Sequence, residues 1–136
     1  MKGWTLMALC AIYLLAGIVG HDPWKSDDAI HLGIAWEFAR DGDWLNPRIG
    51  IESVAGIAPL YHWIAALLGK GLSFLLPFHD GARLATVLFG ALMLVGMRYT
   101  AKQLTQRTEA APLAPLLTLG TLGLLMPIHD AQPAIA

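Results

Sequence analysis

Residues 3–28 read GWTLMALCAIYLLAGIVGHDPWKSDD. The stretch from Gly3 to Gly20 carries no charge and follows Lys2; directly after it come the carboxylates Asp22, Asp27 and Asp28. An uncharged apolar block of this size is close to the roughly 20 residues that cross a bilayer core. A cleaved signal peptide is the competing reading. Its apolar core would be only about 7–15 residues long and would end at a small-x-small cleavage site. The block here is longer and runs straight into charged residues, so it reads as an uncleaved spanning helix and the chain as an integral membrane protein.

Composition agrees. The chain has 136 residues, 14.7 kDa, 56% hydrophobic and 14% charged residues, and a mean hydropathy of +0.55. Ordinary soluble domains carry about 25% charged residues. Intrinsic disorder is excluded, because it needs low hydrophobicity and high net charge. Nucleic-acid binding is not expected, since nine Lys and Arg against ten Asp and Glu give a net charge of −1 with no basic patch. The single Cys10 excludes a disulfide framework and a cysteine-based zinc site, and reads as a small hydrophobe inside the first apolar block.

Three more apolar blocks follow. The second, about 59–76 (PLYHWIAALLGKGLSFLL), has Lys70 near its centre and opens with Tyr61, His62 and Trp63. It is long enough to span, yet a charge at mid-bilayer costs roughly 2.5–3.5 kcal/mol. Tyr and Trp favour the headgroup layer, so an interfacial amphipathic helix is the alternative. The third block runs over about 82–100 and the fourth over about 110–128, separated by the short basic segment RYTAKQLTQRTE.

Charge counting decides between the two readings of 59–76. If it does not cross, Lys2, Arg98, Lys102 and Arg107 share the cytoplasmic side with Glu109 alone. If it crosses, the basic turn faces outward, against the positive-inside rule. The first arrangement predicts an all-α membrane fold with one domain, 1–136. It has spans at about 3–20, 82–100 and 110–128, surface helices at 27–40 and 59–76 in an outer loop 21–80, and a second outer loop starting at 129. The N-terminus is then cytoplasmic. All five histidines (His21, His31, His62, His79, His129) and every acid except Glu109 fall outside. That gathering points to chemistry at the outer face, although the positive-inside rule and a long outer loop also produce such asymmetry unaided.

The outer loop is the informative part. Ser26 is a suitable N-cap, and Asp27 and Asp28 then occupy a first helical turn, where negative charge is favoured. The helix stops at Asp41-Gly42, a turn signal. Leu32, Ala35, Trp36 and Ala39 recur at helical spacing and predict its apolar face. Asp27 and His31 stand one turn apart on one face. A surface carboxylate beside histidine suits a general base or a metal ligand. Asp27 and Asp28 also suit the plain role of helix N-terminal acids, His31 that of an interfacial histidine, and His129-Asp130 that of a loop start. Trp44 and Leu45 read as an interface anchor, Asn46-Pro47 as a turn, and 49–57 as a loop without periodicity. P-loop, GxGxxG, CxxC, HExxH and GxSxG motifs are all lacking, as are internal repeats.

The order of parts is informative in itself. Asp22-Pro23-Trp24, Asp27-Asp28-Ala29, Gly42-Asp43-Trp44, Pro47-Arg48, Pro59-Leu60-Tyr61 with Trp63, and Ala82-Arg83-Leu84 with Leu88-Phe89-Gly90 follow one another over about 20–105. This set resembles the N-terminal part of the GT-C membrane glycosyltransferases, nearest the branch of dolichyl-phosphate-mannose–protein mannosyltransferases and bacterial lipid A aminoarabinose transferases. No single piece is specific; the ordered set is. The resemblance implies sugar transfer from a polyprenyl-phosphate donor to a lipid or protein acceptor at the periplasmic face of the bacterial inner membrane. It implies Asp27 as the catalytic carboxylate with Asp28 completing the acidic pair. It also implies a further acidic position after the third span, which Asp130 matches loosely.

Two departures stand out. The family places a basic residue and a second proline before the PLY segment, whereas this chain has Gly56-Ile57-Ala58-Pro59. Either carrier phosphate then falls to Lys25 or Arg48 or donor binding is weakened; the resemblance also puts Tyr61 at the donor site. Members of the family also have about a dozen spans, so the chain reads as a fragment that is inactive alone. In the implied mechanism Asp27 orients or deprotonates an acceptor hydroxyl, which displaces polyprenyl phosphate in line with inversion. A divalent metal is a possible cofactor, with His31 and His129 as its candidate ligands and His21, Asp22, Asp27 and Asp130 able to converge with them. The rival reading is a small non-catalytic three-span protein, a subunit or an inactive remnant. A transporter piece is a weaker third, because the first, third and fourth blocks lack ionisable residues near the bilayer centre.

Overall fold

The structure is a computed structural model, and it describes residues 3–41, 43–54, 56–105, 111–121 and 129–133. It is mostly helical. The elements are α1 (Gly3–Leu15), α2 (Ser26–Asp41), the short strands β1 (Arg48–Ile49) and β2 (Glu52–Ser53), α3 (Leu60–Gly71), α4 (Phe78–Thr105) and α5 (Leu113–Leu119).

α1 holds 13 residues, about 20 Å at 1.5 Å per residue, short of a bilayer core of about 30 Å. It ends where the chain turns through Gly17 (φ +79°) and Gly20 (φ +92°), conformations that a side chain would strain. α2 starts one residue earlier than the capping signal suggests. Ala29 N–H donates to Lys25 O at 3.0 Å, so Ser26 is the first helical residue and Lys25 takes the cap position. Asp27 and Asp28 lie in the first turn and Arg40 in the last, matching the helix dipole. The stretch 49–57, expected as plain loop, contains most of a two-stranded antiparallel ribbon. Arg48 pairs with Ser53 and Ile49 with Glu52 around Gly50 (φ +62°). Strands of two residues are too short to leave any periodicity in the sequence.

α3 holds 12 residues, about 18 Å, again too short to cross. It folds back on the start of α4. A Cβ on Gly81 would lie 3.1 Å from Gly69 Cα and 3.3 Å from Leu68 O, so the two helices touch backbone to backbone there. α4 is the one helix among the described residues that is long and apolar enough to cross a membrane, and only 22% of its apolar window is buried. The fourth apolar block is described only in part. α5 follows Pro112, ends at Gly120, and 122–128 lie outside the described residues.

α4 carries two separate cores. Its first turns pack with α2 and α3, where Leu32, Ile34, Ala35, Phe38, Tyr61, Ala65, Ala66, Ala82 and Ala85 are buried with Ala131. Its later turns meet α1 and α5 through Leu14 and Leu94, flanked by Cys10, Tyr13, Ala91 and Leu119. The apolar face expected for α2 is turned slightly. Trp36 is 48% exposed, edge-on to Phe78 with centroids 4.9 Å apart, while Phe38 enters the core and stacks on Trp44. Trp63 Nε1 donates to Trp44 O at 2.6 Å, tying the ribbon's approach to α3.

Candidate functional site

The N-terminus of α2 faces the first turns of α4, and Arg83 occupies the space between them with no side-chain exposure. Its guanidinium makes a fork on Asp28: Nη2 donates to Oδ2 at 2.7 Å and Nε to Oδ1 at 3.3 Å. Nη1 donates to His21 O at 2.8 Å and to Asp80 Oδ1 at 3.2 Å. The carboxylates are bonded in turn. Asp28 Oδ1 accepts Ala131 N–H at 2.8 Å, and Asp80 Oδ2 accepts Gly20 N–H at 3.1 Å. One cation thus joins the α1–α2 connection, α2, α4 and the segment 129–133. Burial alone would raise the Asp28 pKa; the Arg83 hydrogen bonds and charge, with Ala131 N–H, outweigh it and hold the carboxyl below its usual value.

A second polar chain runs alongside. Tyr61 Oη and Thr86 Oγ1 are 2.7 Å apart, and Thr86 Oγ1 donates to Asp130 O at 2.7 Å. Burial pushes the Tyr61 phenol well above its ordinary pKa, against the opposing Thr86 hydrogen bond. The Asp130 side chain forms an ion pair with Lys25. The structure therefore brings Lys25, Asp28, Tyr61 and Asp130 together around Arg83 and Thr86.

The acidic pair is divided. Asp28 is 1% exposed and its carboxylate is engaged by Arg83 and by Ala131 N–H, so it ties α2 to α4 and to the segment 129–133. Asp27, the preceding residue, is exposed and forms no ion pair among the described residues. With Trp24, Lys25 and Ser26 it lines a shallow polar cleft of about 380 Å³. Trp24 is 70% exposed, and Lys25 Nζ sits 5.0 Å from its ring centroid.

The remaining expected residues have other partners. Arg48 is on β1 and pairs with Asp43 at 3.6 Å. His31 Nδ1 lies 3.1 Å from His62 Nε2 in a tilted ring pair. Burial lowers the His31 pKa against the raising charges of Asp27 and Asp28. His62 is fully buried, and that burial, with His31 beside it, pushes its pKa down to about 4. His129 Nε2 is 2.8 Å from Tyr13 O, so its ring is turned to α1. Among the described residues, no three His, Cys, Asp or Glu side chains gather as a metal site. The structure does not bring His31 and His129 together: one ring meets His62 on α3 and the other Tyr13 O on α1.

Arg83, Asp80, Thr86 and His62 were missed as site residues. Asp80 and Arg83 stand at i,i+3 on one helix, the only local signal of their pairing. The arrangement offers one exposed carboxylate held rigidly at a helix N-terminus, an adjacent indole face and a nearby ammonium. Such a set can accept a proton from a hydroxyl and pack the C–H face of a sugar, or a planar ring, against the Trp24 indole. No family model matches the chain, and no curated protein or solved structure matches it either.

Proposed function

We propose that the chain is the N-terminal part of a membrane glycosyltransferase. It moves a sugar from a polyprenyl-phosphate donor to a lipid or protein acceptor at the periplasmic face of the inner membrane. Asp27 is its catalytic carboxylate. The observation that carries the reading is the split of the acidic pair: Asp28 is locked on Arg83 while Asp27 projects into an open cleft beside Trp24. Locking Asp28 fixes the first turn of α2, and so fixes Asp27, at no cost to the freedom of the reacting carboxylate to meet substrate.

The membrane placement is supported by the apolar side chains left uncovered. On α1, Trp4, Met7, Ile12 and Leu15 are at least 54% exposed, and on α4 Leu92 and Val95 are 58% and 66% exposed. Surfaces of this kind mark contact with lipid or with further helices. The polar head built by α2, α3 and the start of α4 then sits at the outer surface. Asp27 accepts the acceptor proton as the hydroxyl attacks the anomeric carbon, and polyprenyl phosphate leaves. Lys25, one residue before Ser26 and held by Asp130, is the cation nearest the cleft for the phosphate.

A second reading, a non-catalytic membrane subunit, has one observation in its favour. Among the described residues only α4 is long enough to span, too little to enclose a lipid carrier. Sugar transfer in membranes expressing the complete reading frame separates the two. Asp27→Asn should lower transfer about 10²–10⁴-fold if the carboxylate is the base. Unchanged transfer removes Asp27 from the role.

A further inference from the structure

We propose that the apolar groove between α1, α4 and α5 is a seat for one acyl chain of an anionic phospholipid, with Arg98 holding its phosphate. The groove measures about 220 Å³, is almost wholly apolar, and is lined by Leu6, Cys10, Leu14, Ala91, Leu94 and Pro115. It follows two turns of α4 from Ala91 to Arg98, about 10 Å. Its first α4 residue, Ala91, lies about two turns beyond Arg83, and the groove shares no residue with the cleft at Asp27. Its rim is apolar too: Met7 is 69% and Val95 66% exposed. A groove bordered in this way opens onto hydrocarbon once the chain is in a bilayer, so the proposal rests on the membrane placement given above.

Arg98 selects the occupant. Its side chain is exposed and lines the groove, and its guanidinium has no hydrogen bond or ion pair among the described residues. An arginine with its stem along apolar surface, near the end of a span expected over about 82–100, snorkels to the headgroup layer. There its planar fork matches phosphate oxygens. Lys102 follows one turn later on α4 and adds to the positive field without lining the groove. A neutral packing helix would fill the apolar part and leave Arg98 unmatched; an anionic lipid satisfies both.

The test uses the full chain. Flotation with phosphatidylcholine vesicles first establishes insertion. Native mass spectrometry from detergent then compares retained phosphatidylglycerol with phosphatidylcholine. We expect one phosphatidylglycerol per chain, preferred about five-fold, the worth of one basic residue at an anionic surface. Arg98→Gln should abolish that preference, Lys102→Gln should leave most of it, and Ala91→Trp, which fills the groove, should remove bound lipid of both kinds. A chain that does not float overturns the membrane placement and this site with it. A chain that floats but holds both lipids equally overturns the site alone. So does equal loss of preference in Arg98→Gln and Lys102→Gln, which would mean a diffuse surface potential. The mass of two lipid-free chains would assign the groove to a second copy and overturn the proposal as well.

Discussion

Asp28 Oδ2 lies 2.7 Å from Arg83 Nη2, and neither side chain reaches solvent although 55 residues separate the two. Breaking a buried pair by removing one partner typically costs about 3–5 kcal/mol, because the other charge is left uncompensated. Arg83→Gln frees two carboxylates, Asp28 and Asp80, while Asp28→Asn frees one guanidinium that Asp80 still matches. Thermal unfolding in detergent should therefore rank Arg83→Gln as the more damaging change. The opposite rank would mean that Asp80 adds nothing.

His31 and His62 predict acid sensitivity in a particular window. A histidine whose folded pKa is depressed is neutral in the fold and binds its proton more readily when unfolded. Its stabilising contribution is present above the unfolded value near 6.5 and is lost as pH falls toward about 4. Melting temperature should drop between pH 6.5 and pH 4, and His62→Gln should flatten that drop. Asp28, also depressed, acts only below the ordinary carboxylate range, so the two effects separate on the pH axis. An unaltered slope in His62→Gln would exclude the pair as the cause.

The contact of Gly69 with Gly81 predicts opposite outcomes for two alanines. Gly81→Ala puts a methyl 3.1 Å from Gly69 Cα, and overpacking of this kind costs about 1–3 kcal/mol. Gly33→Ala on α2 meets nothing within 4 Å and should gain about 0.5–1 kcal/mol from helix propensity. Chemical denaturation of the two variants checks the signs.

What the sequence made legible was local. α2 could be read from its acids, its apolar spacing and the Asp41-Gly42 stop, because each acts within a turn or two. The role of Asp28 could not be read, since its partner Arg83 arrives from another helix, and adjacency to Asp27 suggested a shared role. Trp36 and Phe38 exchanged places for a related reason: both lie near the apolar stripe, and which one enters the core depends on where α3 and Phe78 pack. Gly17 and Gly20 looked like small residues of a span, and only their positive φ shows that they end α1. The ribbon at 48–53 and the turning of His129 toward Tyr13 depend wholly on tertiary placement.

We propose that the Asp27 carboxylate stands free at the outer membrane surface. The most direct test replaces Cys10 by serine and Asp27 by cysteine, then treats intact spheroplasts with a membrane-impermeant maleimide. Rapid labelling from outside is expected, and slow labelling of Asp28→Cys in the same background. Labelling of position 27 only after the membrane is broken would contradict it.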